Sequence, residues 1–206
     1  MPSDLTLSRR GFVAGLATAA TLAATLAALP RPALALTAEA ATDLVDRTVA
    51  DLKSIINSGK SEAAMLRDFE QLFTRYGDVP AIARSVLGPA ARSASRGQLA
   101  AYTKAFQGYL SRKYGRRFRE FEGAQIQVAE ARAVKSYYEV VSIARLQGEA
   151  PFEVRWHVSD RSGKSLFFNI IIEGVNMLAT ERTEMGALLD QRGGDLDRLI
   201  ADLASL

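Results

Sequence analysis

The sequence contains no cysteine, which excludes disulfides, thiolate catalysis and cysteine-ligated metal sites together. It holds a single histidine, His157, so zinc sites that need two or three imidazoles cannot be built. Neither sign of charge dominates. Lys and Arg number 26 against 23 Asp and Glu, and the resulting +3 is too small for a dedicated nucleic-acid binder. Glycine-rich phosphate loops, GxSxG elbows and HExxH helices are missing, so no cofactor or metal motif is present. What remains is 206 residues, 48% hydrophobic and 24% charged, an ordinary composition for one domain with a sizeable core.

At the N-terminus, Ser8-Arg9-Arg10-Gly11-Phe12-Val13 sets a twin arginine directly before an uncharged stretch from Gly11 to Leu29. Of its 19 residues eight are Ala, three Thr and two Gly, so it is far less apolar than a spanning helix. Ala33-Leu34-Ala35 then gives the small-x-small pattern of a signal-peptidase site and predicts a mature start at Leu36. A retained membrane anchor is the alternative. The weak apolar run and small-residue exit favour a cleaved twin-arginine export signal over residues 1–35, and hence a periplasmic protein. Residues 36–206 carry a net charge of +1 and read as a single domain.

That domain reads as helices, then strands, then helices. From Thr37 to Asn57, Leu44, Val45, Val49, Leu52, Ile55 and Ile56 share one helix face. Ser61-Glu62 opens a second helix with Met65, Leu66, Phe69, Leu72 and Phe73 inward, stopped by Gly77. Asp78-Val79-Pro80 begins a short third one carrying Ile82, Val86 and Leu87. The long helix expected from Gln98 to Glu122 has a bulky stripe of Leu99, Tyr102, Phe106, Tyr109, Leu110, Tyr114, Phe118 and Phe121. After Gly123 the period falls to 2. Ile126 and Val128 alternate with polar neighbours, Tyr137 to Leu146 is rich in β-branched and aromatic residues, and Phe152, Val154, Trp156 and Val158 alternate with Glu153, Arg155, His157 and Ser159.

Asp160-Arg161-Ser162-Gly163 turns the chain into a strand from Leu166 to Ile172. Leu166, Phe168, Ile170 and Ile172 are expected on one face of it, Phe167 and Ile171 on the other. Gly174 ends that strand. Val175 to Gln191 returns to helical spacing, and Leu196, Leu199, Ile200 and Leu203 mark a last helix. The order implies an α+β fold, a curved antiparallel sheet of about four strands with helices packed on one face.

Catalysis has no convincing site in this pattern. A hydrolase would have to use His157, which is read as a surface residue on the polar strand face. Glu181/Glu184 and Asp195/Asp197 read as solvated helix charges. Arg112, Lys113, Arg116, Arg117 and Arg119 form a dense basic run, either a solvated helix face or a surface for anionic headgroups or an acidic partner patch. The positive signal is an excess of large apolar groups on both layers: Phe73, Tyr102, Phe106 and Phe118 on helices facing Phe152, Trp156, Phe168 and Ile170 on strands. Periodicity alone favours a filled core, which would suit an interaction module or chaperone. A pocket for an apolar ligand is the competing reading.

Three segments bear on that choice. They are Phe69-Glu70-Gln71-Leu72-Phe73, Val79-Pro80-Ala81-Ile82-Ala83-Arg84-Ser85-Val86-Leu87-Gly88, and Gln98-Leu99-Ala100-Ala101-Tyr102-Thr103-Lys104-Ala105-Phe106. With Ile172-Glu173-Gly174-Val175-Asn176-Met177-Leu178 and the run from Leu188 to Ile200, they resemble the MlaC (toluene-tolerance) family of periplasmic phospholipid carriers. The likeness runs from about Ala41 to Leu203. Asn176, Asn169 and Thr180-Glu181-Arg182 depart from the Ser, Asp and Asn-Tyr-Arg common there.

The resemblance implies a non-enzymatic lipid shuttle that helps maintain outer-membrane asymmetry. Its partners would be an inner-membrane ABC transporter with an MCE-domain subunit and an outer-membrane lipoprotein complex. It also implies an enclosed apolar pocket, for which the candidates are Phe73, Ile82, Val86, Tyr102, Phe106, Leu110, Val154, Trp156, Phe168, Ile170, Ile172 and Val175.

Overall fold

Five of the helices among the described residues begin where a side chain takes up free N–H groups. In a computed structural model, which describes residues 36–206, the Thr37 hydroxyl accepts from the Ala40 N–H and opens α1, Ala38–Ile56. The export signal expected over residues 1–35 lies outside the described residues. α2 spans Glu62–Tyr76, and the Asp78 carboxylate then caps α3, Val79–Leu87, with Pro80 in its first turn. A four-residue α4, Ala90–Ser93, was not expected. α5, Arg96–Gly115, starts in a reciprocal capping box between Ser95 and Gln98. It stops well short of the expected Glu122. At Gly115, a poor helix former, the chain tightens into a 3₁₀ turn over Phe118–Phe121.

Five antiparallel strands follow in sequential order: β1 Gln125–Val134, β2 Tyr137–Arg145, β3 Phe152–Ser159, β4 Leu166–Ile172 and β5 Val175–Asn176. The fifth, only two residues long, occupies the start of the expected last long helix and pairs Val175 with Ile172. The Asn176 side chain then caps α6, Met177–Asp190, and Asp195 caps α7, Leu196–Leu203. Among the described residues the fold is α+β, with seven α-helices and one open sheet.

Period-2 alternation sends Val140, Ala144, Val154, Trp156 and Val158 to the helix side of the sheet, while Glu139, Arg155 and His157 face away. β4 breaks the expected alternation. The pairing of His157 with Asn169 and of Val158 with Phe167 leaves Phe168 as the extra residue of a β-bulge. Phe167 therefore joins Ile170 on the inner face, contrary to the simple reading. The Phe168 ring packs against Tyr137 at 5.4 Å and His157 at 5.6 Å. α1 lies on the inner face of β1 to β3, α3 bridges α5, α6 and β4, and α7 runs along α5.

Candidate functional site

Helices and sheet do not close on one another everywhere. Between them lies a cavity of about 520 Å³, within the range of small-ligand pockets. α2 contributes Leu72 and Phe73, α3 Ile82 and Val86, α5 Leu110 and Tyr114, and the sheet Val154, Trp156, Phe167 and Ile170. Trp156 is held in place by its polar edge. Its Nε1 donates to Ser142 Oγ at 3.0 Å, and that hydroxyl donates to the Val154 carbonyl at 3.2 Å. The indole N–H is thus satisfied within the sheet, which leaves the ring for apolar contact. Phe167 meets Trp156 edge-on at 5.6 Å and Phe73 at 6.0 Å.

The cavity reaches one end of the sheet, where β1 and β3 begin and β2 and β4 finish. Ala124, Leu146, Phe152 and Ile172 border it there, as does Val175, a large apolar side chain left 54% exposed. Glu173 occupies the left-handed region at φ +49°, directly before Gly174 at +81°. Glu173 is itself among the residues bordering the cavity.

Ten of the twelve candidate pocket residues border the cavity; Tyr102 and Phe106 do not. Both are fully buried, stacked at 5.6 Å in the half of α5 that α7 flanks, so they belong to filled core. Sequence reasoning missed Phe167, hidden by the bulge, and Phe121, Leu178 and Glu181. Phe121 was visible in the aromatic stripe. The side chains of Phe118 and Arg119 lie outside the described set.

Glu181 is a clear correction. Expected as a solvated charge, it is 4% exposed and forms part of the cavity wall. Its Oε1 accepts from Lys113 Nζ at 2.8 Å and from the Tyr114 hydroxyl. Lys113 also donates to Glu184 at 2.5 Å, and Glu184 accepts the Tyr109 hydroxyl. Burial pushes the Tyr109 phenol up to about 12, with the Glu184 hydrogen bond adding to it. Burial would lower the Lys113 pKa, but its bonds to Glu181, Glu184 and Tyr109 prevail and raise it. Glu184 moves the other way. Burial opposes its ionisation, while Lys113 and Tyr109 more than offset that and hold it below the usual carboxylate value.

The basic run is therefore largely spent. Lys113 is neutralised internally, Arg112 donates to the Leu203 carbonyl, and Arg117 pairs with Glu120 at 2.8 Å.

His157 is not the surface residue expected. Its side chain is 12% exposed, with Nε2 3.1 Å from Glu139 and Nδ1 3.4 Å from the Asn169 amide. Asn169 Oδ1 in turn accepts the Leu178 N–H at 3.1 Å, tying the network to the first turn of α6. Arg132 Nε donates to Glu139 at 2.9 Å. Burial opposes ionisation of Glu139, but Arg132 and His157 bind it strongly enough to depress its pKa. Both imidazole nitrogens are thus engaged, neither by a nucleophilic hydroxyl. Among the described residues no cluster of acidic or imidazole groups has metal-binding geometry, and no helix is long and apolar enough to cross a membrane.

The sequence profile of the MlaC protein family matches residues 43–205. The chain belongs to the MlaC family. In three dimensions it resembles a phospholipid-binding protein from Ralstonia solanacearum, solved in complex with a phospholipid. The TM-score is 0.68 at 20% identity, over 80% of this chain and 98% of that one. The Ralstonia likeness is one of fold.

Proposed function

We propose that this MlaC family member is a periplasmic phospholipid carrier, and that its cavity holds the acyl chains. The observation that carries the reading is the unfilled apolar space of about 520 Å³ between sheet and helices, open at one end. Removing acyl chains from water gains about 0.8 kcal/mol per CH₂, so two chains of about fifteen carbons gain on the order of 20 kcal/mol. Free lipid therefore does not cross an aqueous compartment unaided. Relative to a bilayer an apolar pocket gains little, which suits a carrier that must both load and unload.

The job asks for shielding and reversible binding, and the chain offers a hollow, largely apolar wall. The pocket candidates carry the role, with Tyr102 and Phe106 supporting the wall from behind. In this reading the protein shuttles lipid between an outer-membrane lipoprotein complex and an inner-membrane ABC transporter with an MCE-domain subunit, keeping the outer membrane asymmetric. A chaperone or interaction module with a filled core fits the cavity poorly.

The test is mass spectrometry of organic extracts from the purified protein. Stoichiometric phospholipid is the expected result. Lipid-free protein that also takes none from vesicles defeats the reading.

A further inference from the structure

We propose that removal of residues 1–35 completes a contact of the fold: the new α-ammonium group of Leu36 pairs with the Asp160 carboxylate and fastens α1 to the β3–β4 turn. This rests on the export-signal reading of the sequence and is independent of what the cavity carries.

The geometry starts at the residue that Ala33-Leu34-Ala35 predicts as the mature start. The backbone nitrogen of Leu36 donates to Asp160 Oδ2 at 3.1 Å, a half-buried contact across 124 positions of sequence. The Leu36 side chain packs against the hydrophobic core, which holds that nitrogen in place. No Lys or Arg among the described residues pairs with the Asp160 carboxylate, and the neighbouring Arg161 guanidinium donates to Ser136 instead.

Hydrolysis of the Ala35–Leu36 bond by an export peptidase consumes one water. It leaves a carboxylate on Ala35 and a protonated amine on Leu36. Before cleavage this nitrogen is an uncharged amide with one N–H. Afterwards it offers three N–H donors and a full positive charge. That charge sits two residues before the start of α1, at the positive end of the helix dipole, where a cation is unfavourable. Asp160 offsets it from the turn, as Glu39 does from the first turn of the helix. A main-chain nitrogen also has no long stem to immobilise, unlike a Lys or Arg head.

The contact lies away from the mouth. β3 begins at the mouth and ends at Ser159, so Asp160 stands at the other end of the sheet. α1 is held there at its start, while Thr48, Leu52 and Ile56 in its second half border the cavity.

Charged and titratable side chains near the pair are Glu39 on α1, Lys135, Tyr137 and Tyr138 at the β1–β2 turn, His157 on β3, and Arg161 and Lys164 on the β3–β4 turn. No side chain of these types ordinarily titrates between pH 7 and 9.5, whereas an α-amine does so at about 8. Pairing with a carboxylate raises the folded value. The stabilisation is therefore complete below the unfolded value and is lost as pH rises through the folded one.

The full-length gene is expressed with export, and a precursor is retained in the cytoplasm by Arg9→Lys with Arg10→Lys. Intact-mass measurement is expected to give an exported chain that begins at Leu36. In that protein Asp160→Asn, which keeps the size and one acceptor oxygen, should raise the unfolding equilibrium constant about fivefold at pH 7, the scale of one partly exposed ion pair. The ratio should fall towards unity by pH 9.5. In the retained precursor the effect of Asp160→Asn should be the same at both pH values. Asp46→Asn, exposed on α1, should change neither protein.

A second measurement needs no destabilised variant. Dimethylation with isotope-labelled carbon keeps the charge of the amine, and NMR should then show Leu36 titrating above the ordinary value of about 8. In Asp160→Asn it should return to that value. An exported chain that starts at another residue overturns the proposal. So does an Asp160→Asn effect that is absent, or equal at both pH values, in the exported protein. An equally pH-dependent effect in the precursor, or a Leu36 amine with the ordinary titration, overturns it as well. None of these outcomes touches the carrier reading, which lipid extraction tests separately.

Discussion

Along α5, Tyr102 and Phe106 are sealed completely, whereas Leu110 and Tyr114, one and two turns further on, border an open cavity. All four belong to one i, i+4 series of bulky groups. Each step of four residues overshoots a full turn by about 40°, so by Tyr114 the series has rolled about 120° around the helix. Its first members point at neighbouring helices, with α7 alongside from Gln98 to Arg112. Its last members, Leu110 and Tyr114, border the cavity instead. A bulky stripe thus identifies the inward side of a helix. Whether that side is filled depends on what the other elements bring to each level.

The largest expected effect tests the filled half. Phe106→Ala removes a fully buried ring and should cost about 3–5 kcal/mol in urea unfolding. Leu110→Ala, beside a space that already exists, should fall near about 2 kcal/mol, the low end for such truncations. Equal costs at the two positions would erase the distinction between packed and hollow halves.

Next comes the charged seam between α5 and α6, which meets the cavity wall at Glu181. Lys113→Met leaves Glu181 and Glu184 without their cation and should cost about 3 kcal/mol at neutral pH, as breaking a buried pair does. Its pH dependence has a defined sign. Glu184 has a pKa below the ordinary 4.5 in the folded protein, so its contribution is present above that value and is lost as pH falls through the folded pKa. The stability gap between wild type and Lys113→Met should therefore narrow below about pH 4.5. A gap independent of pH would assign the cost to lost packing of the lysine stem.

Much of this architecture is legible in the sequence. The caps at Thr37 and Asp78 mark helix starts, and the alternation through Trp156 assigns the inner face of β3. Features set by tertiary context are not. The bulge that turns Phe167 inward comes from strand pairing, which local alternation does not encode. β5 is too short to leave a pattern. Glu181 looks like any helix-surface carboxylate until α5 brings Lys113 and Tyr114 against it. The cavity itself is a missing neighbour, and periodicity has no symbol for that.

On the opposite face of the sheet, His157→Ala makes a smaller cut. A purely exposed histidine would be silent, within about 0.5 kcal/mol. Here the ring spans Glu139 and Asn169, and Asn169 holds the first turn of α6, so a loss of about 1–2 kcal/mol is expected from thermal or urea unfolding. A silent substitution would mean that Arg132 alone satisfies Glu139.

The smallest expected effect on stability is the one that bears most on function. Ile170 stands opposite Trp156 in the sheet and borders the cavity. In a filled core, Ile170→Trp would overpack and cost about 1–3 kcal/mol. In a hollow wall the indole enters unoccupied space, so the lipid-free variant should unfold within about 0.5 kcal/mol of lipid-free wild type. The same ring occupies volume that acyl chains need, so lipid retained through purification should fall sharply. Wild type should gain stability on loading, about 2.7 kcal/mol for a ligand at a hundredfold excess over its Kd, because the ligand binds only the folded chain. The variant should lose most of that gain. Four melting curves therefore decide the matter, two proteins each with and without lipid. A variant that melts far below wild type in both conditions would place Ile170 in packed core, alongside Phe106, and the hollow half of α5 would have no sheet wall to face.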